Sequence, residues 1–283
     1  MGLSKDKVIN ALIAGVTGAV TLGGLAPYAM IVASTVERGV RAIASVGLAR
    51  FLTSLPPAPG SGGLGGVGPS LLGTALLTLL STLAGVPLAF CLALLVTEFP
   101  GNPVSRVLRA LVKGLLELPT IVAGMVVYTL VVIPMGTPSI LAGSLALTIV
   151  MLPYVTTYFE TYLSSVPKHY REAGYAIGLS KAGVALRVAA PIARKGLLVG
   201  VLVGVSRALG ETAPLLFTLG SARYYYPTTV LGPGDSVSLL IYNFAMMPYP
   251  NLREVAWGAA LILLASYLLV SLAIQLGVRG VET

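Results

Sequence analysis

Cysteine and histidine, from which most protein-bound metal and disulfide sites are built, are nearly missing: the 283-residue chain has one of each, Cys91 and His169. That excludes a disulfide framework and leaves too few soft ligands to expect a zinc or haem site. Charge is scarce as well, at 10% of residues against the roughly 25% of soluble domains. No Gly-Lys dipeptide occurs, so the chain lacks the phosphate loop of nucleotide-binding proteins, and neither Gly-x-Ser-x-Gly nor His-Glu-x-x-His is present. No catalytic residues, metal or cofactor are expected in this chain. If ATP drives its activity, another subunit must hydrolyse it.

What is present is apolar. Hydrophobic residues make up 56% of the chain, and mean hydropathy is +0.91. Charge-free runs cover Val8–Val36, Phe51–Thr97, Leu118–Phe159 and Val255–Val278, each longer than the ~20 residues that cross a bilayer. The fold class is therefore all-α, a polytopic membrane protein. Lys5 and Lys7 before the first run resemble a signal peptide, but a cleavable apolar segment is only about 7–15 residues long. An uncleaved first span is expected.

Proline and glycine divide the two longest runs. The stretch from Leu55 to Pro69 combines residues that lack an N–H with residues of high backbone entropy, and it reads as a loop. Pro134-Met-Gly-Thr-Pro138 reads as a tight turn. Six spans result, at 9–36, 70–97, 111–133, 139–162, 196–219 and 253–277, with 37–54 as an optional short interfacial helix. With the N-terminus inside, twelve lysines and arginines face the cytoplasm, and five arginines (Arg38, Arg41, Arg50, Arg223 and Arg253) face outward. The positive-inside rule favours that orientation, with both termini cytoplasmic, although the arginines after span 1 run against it. The net charge of +8 is thus a topology signal, and no nucleic-acid partner is expected.

Two features exceed a generic bundle. The segment 164–195 between spans 4 and 5 is the most polar part of the chain. Ser165 is expected to cap a first short helix with Pro167 in its first turn; Gly178 should break it, Ser180 should cap a second, and Pro191 should limit that one. Such a pair offers a rigid surface to a partner protein, though an ordinary basic loop has the same composition. The second feature is span 5, where Gly196, Gly200, Gly204 and Ala208 form a stripe for close helix packing. At ~100° per residue, Arg207 and Glu211 fall in the same sector, so both face protein or a water-filled cavity. Their i,i+4 spacing lets them meet, with Thr212 and Pro214 following. One reading is a structural ion pair that locks span 5. The other is a gate or path element for an anion, because a guanidinium fork matches oxyanion oxygens.

Smaller signals add little. Glu98 and Glu117 are expected at the membrane interface, Tyr224–Tyr226 and Trp257 suit an aromatic belt, and Pro87 and Pro153 predict kinks.

With these residues in view, the chain resembles the membrane subunits of ABC importers, most closely the phosphate-specific permeases. The cytoplasmic signature of that family stands here as Glu172-Ala173-Gly174, three residues, Gly178, nine residues, then Val188-Ala-Ala-Pro191. Gly174 replaces the third alanine, and Val188 and Ala190 replace Ile and Leu. A more selective match is Arg207-Ala-Leu-Gly-Glu-Thr-Ala-Pro-Leu-Leu-Phe-Thr218, whose Thr-Ala-Pro continuation is similar to one of the two phosphate permeases, the partner usually reading Thr-Met-Ala. Gly73-Thr74, Glu98-Phe99 and Leu118–Gly124 match too. The resemblance covers about residues 66–278; residues 1–65 form an N-terminal helix and Pro/Gly-rich external loop, and 66–283 the permease core.

The resemblance implies a type I permease fold and one half of a phosphate path. It implies a coupling loop through Glu172, Ala173, Gly174, Gly178 and Pro191, and a path or gate through Arg207, Glu211 and Thr212. The partners it implies are an ABC ATPase dimer, a second permease, a phosphate-binding protein outside and the lipid bilayer. A permease for molybdate, tungstate or sulfate would carry much of the same signature. An ion-coupled carrier or a membrane scaffold gives no reason for the glycine and proline spacing of the loop.

Overall fold

The computed structural model describes residues 5–282, and among them there is no strand. Residues 1–4 and 283, which the two-part division above includes, lie outside the described residues, as do the side chains of Lys5 and Arg279. Five helices are long and apolar enough to cross a bilayer: α1 (Lys5–Val46), α3 (Gly68–Glu98), α7 (Ile140–Ser164), α10 (Ala190–Leu209, continuous with the preceding turns from Lys181) and α13 (Pro250–Glu282). A bent pair of helices makes a sixth candidate crossing. Helix α4 (Pro103–Glu117) meets the segment Thr120–Met135 at 107°, with the break at Leu118-Pro119.

That break corrects the expected span 111–133. Pro119 has no N–H to continue α4, and it disfavours helical geometry at Leu118, which is extended at φ −70 and ψ 126. The apolar segment starts at Thr120, and α4 is an amphipathic helix set at 107° to it. Its first turn is built by Asn102, whose side chain accepts from the Val104 amide at 2.9 Å, and by Pro103.

Helix α7 is the central pillar, packing against both α3 and α10. In its most apolar window 67% of residues are buried, against 0% for α1, which therefore runs along the outside. Between α3, α7 and α10 the core holds Ala89, Ala93, Met151, Val155, Phe159 and Leu163. The glycines of α10 make this approach possible. A Cβ on Gly200 would stand 2.8 Å from Phe159, and one on Gly204 would stand 2.8 Å from Met151. Residues 37–46 prolong α1, and after Gly47, at φ +88, a separate short helix α2 (Leu48–Thr53) carries the buried Phe51. Around Phe51 a second core gathers Val67, Leu240, Phe244, Leu252 and Val255.

Two π turns interrupt the helices, and each ends two residues before a proline. Tyr128–Val132 precedes Pro134 within α6 (Ile133–Met135), and Ala185–Ala189 precedes Pro191. In each the wide bond runs to the residue before the proline, Ile133 N–H to Tyr128 O and Ala190 N–H to Ala185 O. The proline would otherwise clash with the carbonyl four residues earlier, and the extra residue opens the ladder there. This overturns the expectation that Pro191 limits a helix: it sits in the first turn of α10, and helix runs through it. Span 5 likewise ends at Leu209, not at 219. The Gly136 turn forms as expected, with Gly136 at φ +70.

Candidate functional site

Helix α10 stops at Leu209, and residues 210–214 form an irregular break before α11 (Leu215–Thr218). Pro214 cannot extend a hydrogen-bonded ladder, so the chain reopens there. Arg207 is in the last turn of α10, while Glu211 lies just beyond the helix end. The two meet across that end, Arg207 Nη1 to Glu211 Oε1 at 2.6 Å. Their surroundings differ: the Glu211 side chain is 6% exposed and that of Arg207 is 36% exposed. The carboxylate is thus inside protein, and the guanidinium reaches outward.

Arg207 lies over the Tyr154 ring of α7, 5.3 Å from its centroid, and lines a cavity of about 60 Å³ with Leu118, Thr120, Ala123, Ile149 and Tyr154. Arg207 Nε is buried and has no hydrogen-bond partner among the described residues. The floor is fixed from behind. Ser238, in α12 (Val237–Ala245), donates to the Glu211 carbonyl at 2.7 Å. Gly124 packs so closely on Pro214 that a Cβ there would stand 2.6 Å from the proline Cα. Thr212 is partly buried in the break, and its carbonyl accepts from the amides of Leu215 and Leu216. Arg207, Glu211 and Thr212 are therefore one constellation, beside the bent crossing at Thr120.

The loop residues form a separate group at the other end of α10. Helix α8 (Lys168–Ala176) carries Glu172 and Ala173 on its exposed surface, and Gly174 is buried. A Cβ on Gly174 would lie 2.9 Å from Val184, so glycine there lets α8 close onto α9 (Lys181–Val184). Gly178, at φ +83, reverses the chain, and the Ser180 hydroxyl accepts from the Gly183 amide at 3.2 Å. Ser165 does not start α8. It ends α7, and Pro167 precedes α8. Arg171 pairs with Glu98 at the end of α3 and donates to the Leu163 carbonyl at 2.7 Å, which clamps α8 to the bundle. Arg109 of α4 pairs with Glu160 of α7 at 2.7 Å. Glu98, expected only as an interfacial group, and Glu160 are counter-charges.

Sequence reasoning missed a second buried pair. Arg223, expected on an outer loop, is buried with Asp235: Arg223 Nε to Asp235 Oδ2 is 3.6 Å, and the side chains are 7% and 0% exposed. Ser70 of α3 donates to the same oxygen at 2.6 Å, and Arg223 lies over Phe244. Burial pushes the Asp235 carboxyl above the usual range, opposed by Arg223, the Ser70 hydroxyl and the Ser236 backbone. The loop carrying both residues is a folded cap. Its Val230 and Gly232 carbonyls accept from Leu141 and Ile140, the first amides of α7. No spacing signal could have joined residues so far apart in the chain.

The chain is thus a membrane bundle of five candidate crossings and one bent pair, with a helical loop at one end and a charged break inside. Residues 70–282 match the family described as the binding-protein-dependent transport system inner membrane component, and the chain belongs to that family. It is 41% identical over 275 residues to the probable phosphate transport system permease protein PstA of Methanocaldococcus jannaschii, covering 97% of this chain and 94% of that one. The phosphate transport system permease protein PstA of Yersinia pestis is 33% identical over 255 residues, covering 90% and 84%. Among solved structures, an inward-facing MetNI methionine ABC transporter has the same fold, with TM-score 0.61 and 19% identity, covering 76% of this chain and 95% of that one.

Proposed function

We propose that this chain is one of the two membrane subunits of an ATP-driven phosphate importer. Its fold and family make it the membrane component of a binding-protein-dependent transport system, and relatives along nearly its full length are named as phosphate permeases. In this reading a binding protein delivers phosphate from outside, a second permease completes the path, and an ATPase dimer binds the α8 surface around Glu172, Ala173 and Gly174. Gly178 and Pro191 shape the link from that surface to α10. Both termini are cytoplasmic, consistent with the basic residues around α8. ATP hydrolysis belongs to the ATPase partner.

One observation carries the assignment of the path: a buried carboxylate holds one edge of a half-exposed arginine whose Nε has no protein partner. A guanidinium has five N–H donors in a fixed plane. Glu211 positions that plane and uses part of it, leaving donors for the oxygens of a passing phosphate. The carboxylate also lowers the net positive charge, which favours release. Thr212 sits where the break would flex.

The test is ATP-driven phosphate uptake by the reconstituted complex carrying Arg207→Gln or Glu211→Gln. Each is expected to lower uptake by about tenfold or more, the scale of one charge-assisted bond, while the complex still assembles. Uptake equal to the parent overturns the gating role. Competition by sulfate or molybdate in the same assay reads the selectivity.

A further inference from the structure

Two cavities beside α1 share a wall. The first, of about 310 Å³, is lined by Arg38, Arg253, Trp257, Ile241 and Ala245. The second, also about 310 Å³, is lined by Ile31, Val32, Leu263, Leu264 and Tyr267. Both include Ile241 and Ala260, so they form one trough between α1 and α13, floored by α12. Its chemistry is graded. Arginines and an indole stand at one end, and aliphatic side chains line the rest.

Among the described residues, neither arginine at the mouth is held in an ion pair, and Glu37 is engaged by Arg41. The Arg38 guanidinium rests over Trp257, 5.0 Å from the ring centroid, which holds it at the trough. Arg38 also borders the neighbouring cavity, whose lining includes Glu37, Arg41 and Glu254, without an ion pair to either carboxylate. Depth is consistent with membrane placement: both arginines flank the apolar runs, at headgroup level. From Trp257 to Tyr267 the helix rises about 15 Å, half of the ~30 Å hydrocarbon core. The trough is therefore as deep as one leaflet.

We propose that this trough binds one anionic phospholipid, its phosphate held by Arg38 and Arg253 and one tail lying along Ile31, Val32, Leu263 and Leu264 toward Tyr267. Charge complementarity selects the headgroup and the trough depth selects a tail. Arg38, one of the arginines that run against the positive-inside rule, thereby acquires a use. At its deep end the trough reaches Gly210, the residue before Glu211, so an occupied trough buttresses the break in α10.

Native mass spectrometry of the assembled transporter, delipidated and then offered phosphatidylglycerol or phosphatidylcholine, tests the site. The expected result is one tightly held phosphatidylglycerol per copy of this chain, with about tenfold preference over phosphatidylcholine, in line with two arginines at a headgroup. The Arg38→Gln/Arg253→Gln variant should lose the preference, and Ala260→Phe, which fills the trough, should lose retention of both lipids. Equal retention of the two lipids, or an unchanged preference in the double variant, overturns the proposal. So does displacement of the lipid by inorganic phosphate, which would make this a free-anion site. Retention by the isolated chain that disappears on assembly would give the trough to a partner helix and also overturns it.

Discussion

Arg223 and Asp235 show what a buried ion pair demands at the scale of single residues. Both side chains are buried, and each charge is tolerable only because of the other, with Ser70 supplying a further bond. Arg223→Met leaves the carboxylate without a counter-charge, and about 3–5 kcal/mol of destabilisation is expected. The sign of the pH effect follows from protonation. A carboxyl whose folded-state value lies above its unfolded value binds protons better when folded, so stability is greatest at acid pH and falls as pH rises through that interval. The variant should therefore melt closest to the parent at the acid end of that interval and fall farther below it as pH rises. A deficit independent of pH would show that Asp235 is not the group left stranded. Arg207 and Glu211 were readable in advance because four residues separate them; Arg223 and Asp235 were not, because only the folded cap joins them.

Among the elements, those bounded by chemistry were legible and those bounded by packing were not. α3 and α7 lie within a few residues of their expected limits, since Gly68-Pro69 and Ser139 mark their starts and apolar runs fill them. The expected span 111–133 runs across Lys113, Glu117 and Pro119, whereas the charge-free run begins only at Leu118, where the structure bends. α10 was misjudged at both ends: Pro191 looks like a stop until a π turn accommodates it, and the helix closes at Leu209, between Arg207 and Glu211 and five residues before Pro214. The short α8 depends on one anchor, Arg171, which joins it to both α3 and α7. Arg171→Ala should therefore reduce phosphate uptake several-fold without lowering the ATPase activity of the assembled complex, because the docking surface survives and its linkage to the bundle does not. Uptake and hydrolysis falling in parallel would count against that role.

For the molecule as a whole, the outlying α1 is informative. Gly15, Gly18, Gly23 and Gly24 have no neighbouring side chain within reach of a Cβ, unlike the glycines of α10, while Gly39 is pressed against Trp257 and Leu261 of α13. The first half of α1 is therefore not needed for the fold of this chain. Gly23→Leu should leave its melting temperature within about 1 °C, since exposed substitutions change stability little. It should lower co-purification with the second permease if that subunit packs on α1. The π turn at Ala185–Ala189 has a wider consequence, because the α8 end and the Arg207 end are joined through it. One residue can be removed from that turn and plain helix restored, with both flanks still facing their present neighbours. The same deletion farther along α10 would swing Arg207 by about 100°, away from Tyr154 and its cavity. The turn is a slack joint in chain length, placed where a proline already required one, and it lets the partner-facing loop be lengthened or shortened in descent without turning the arginine out of its sector.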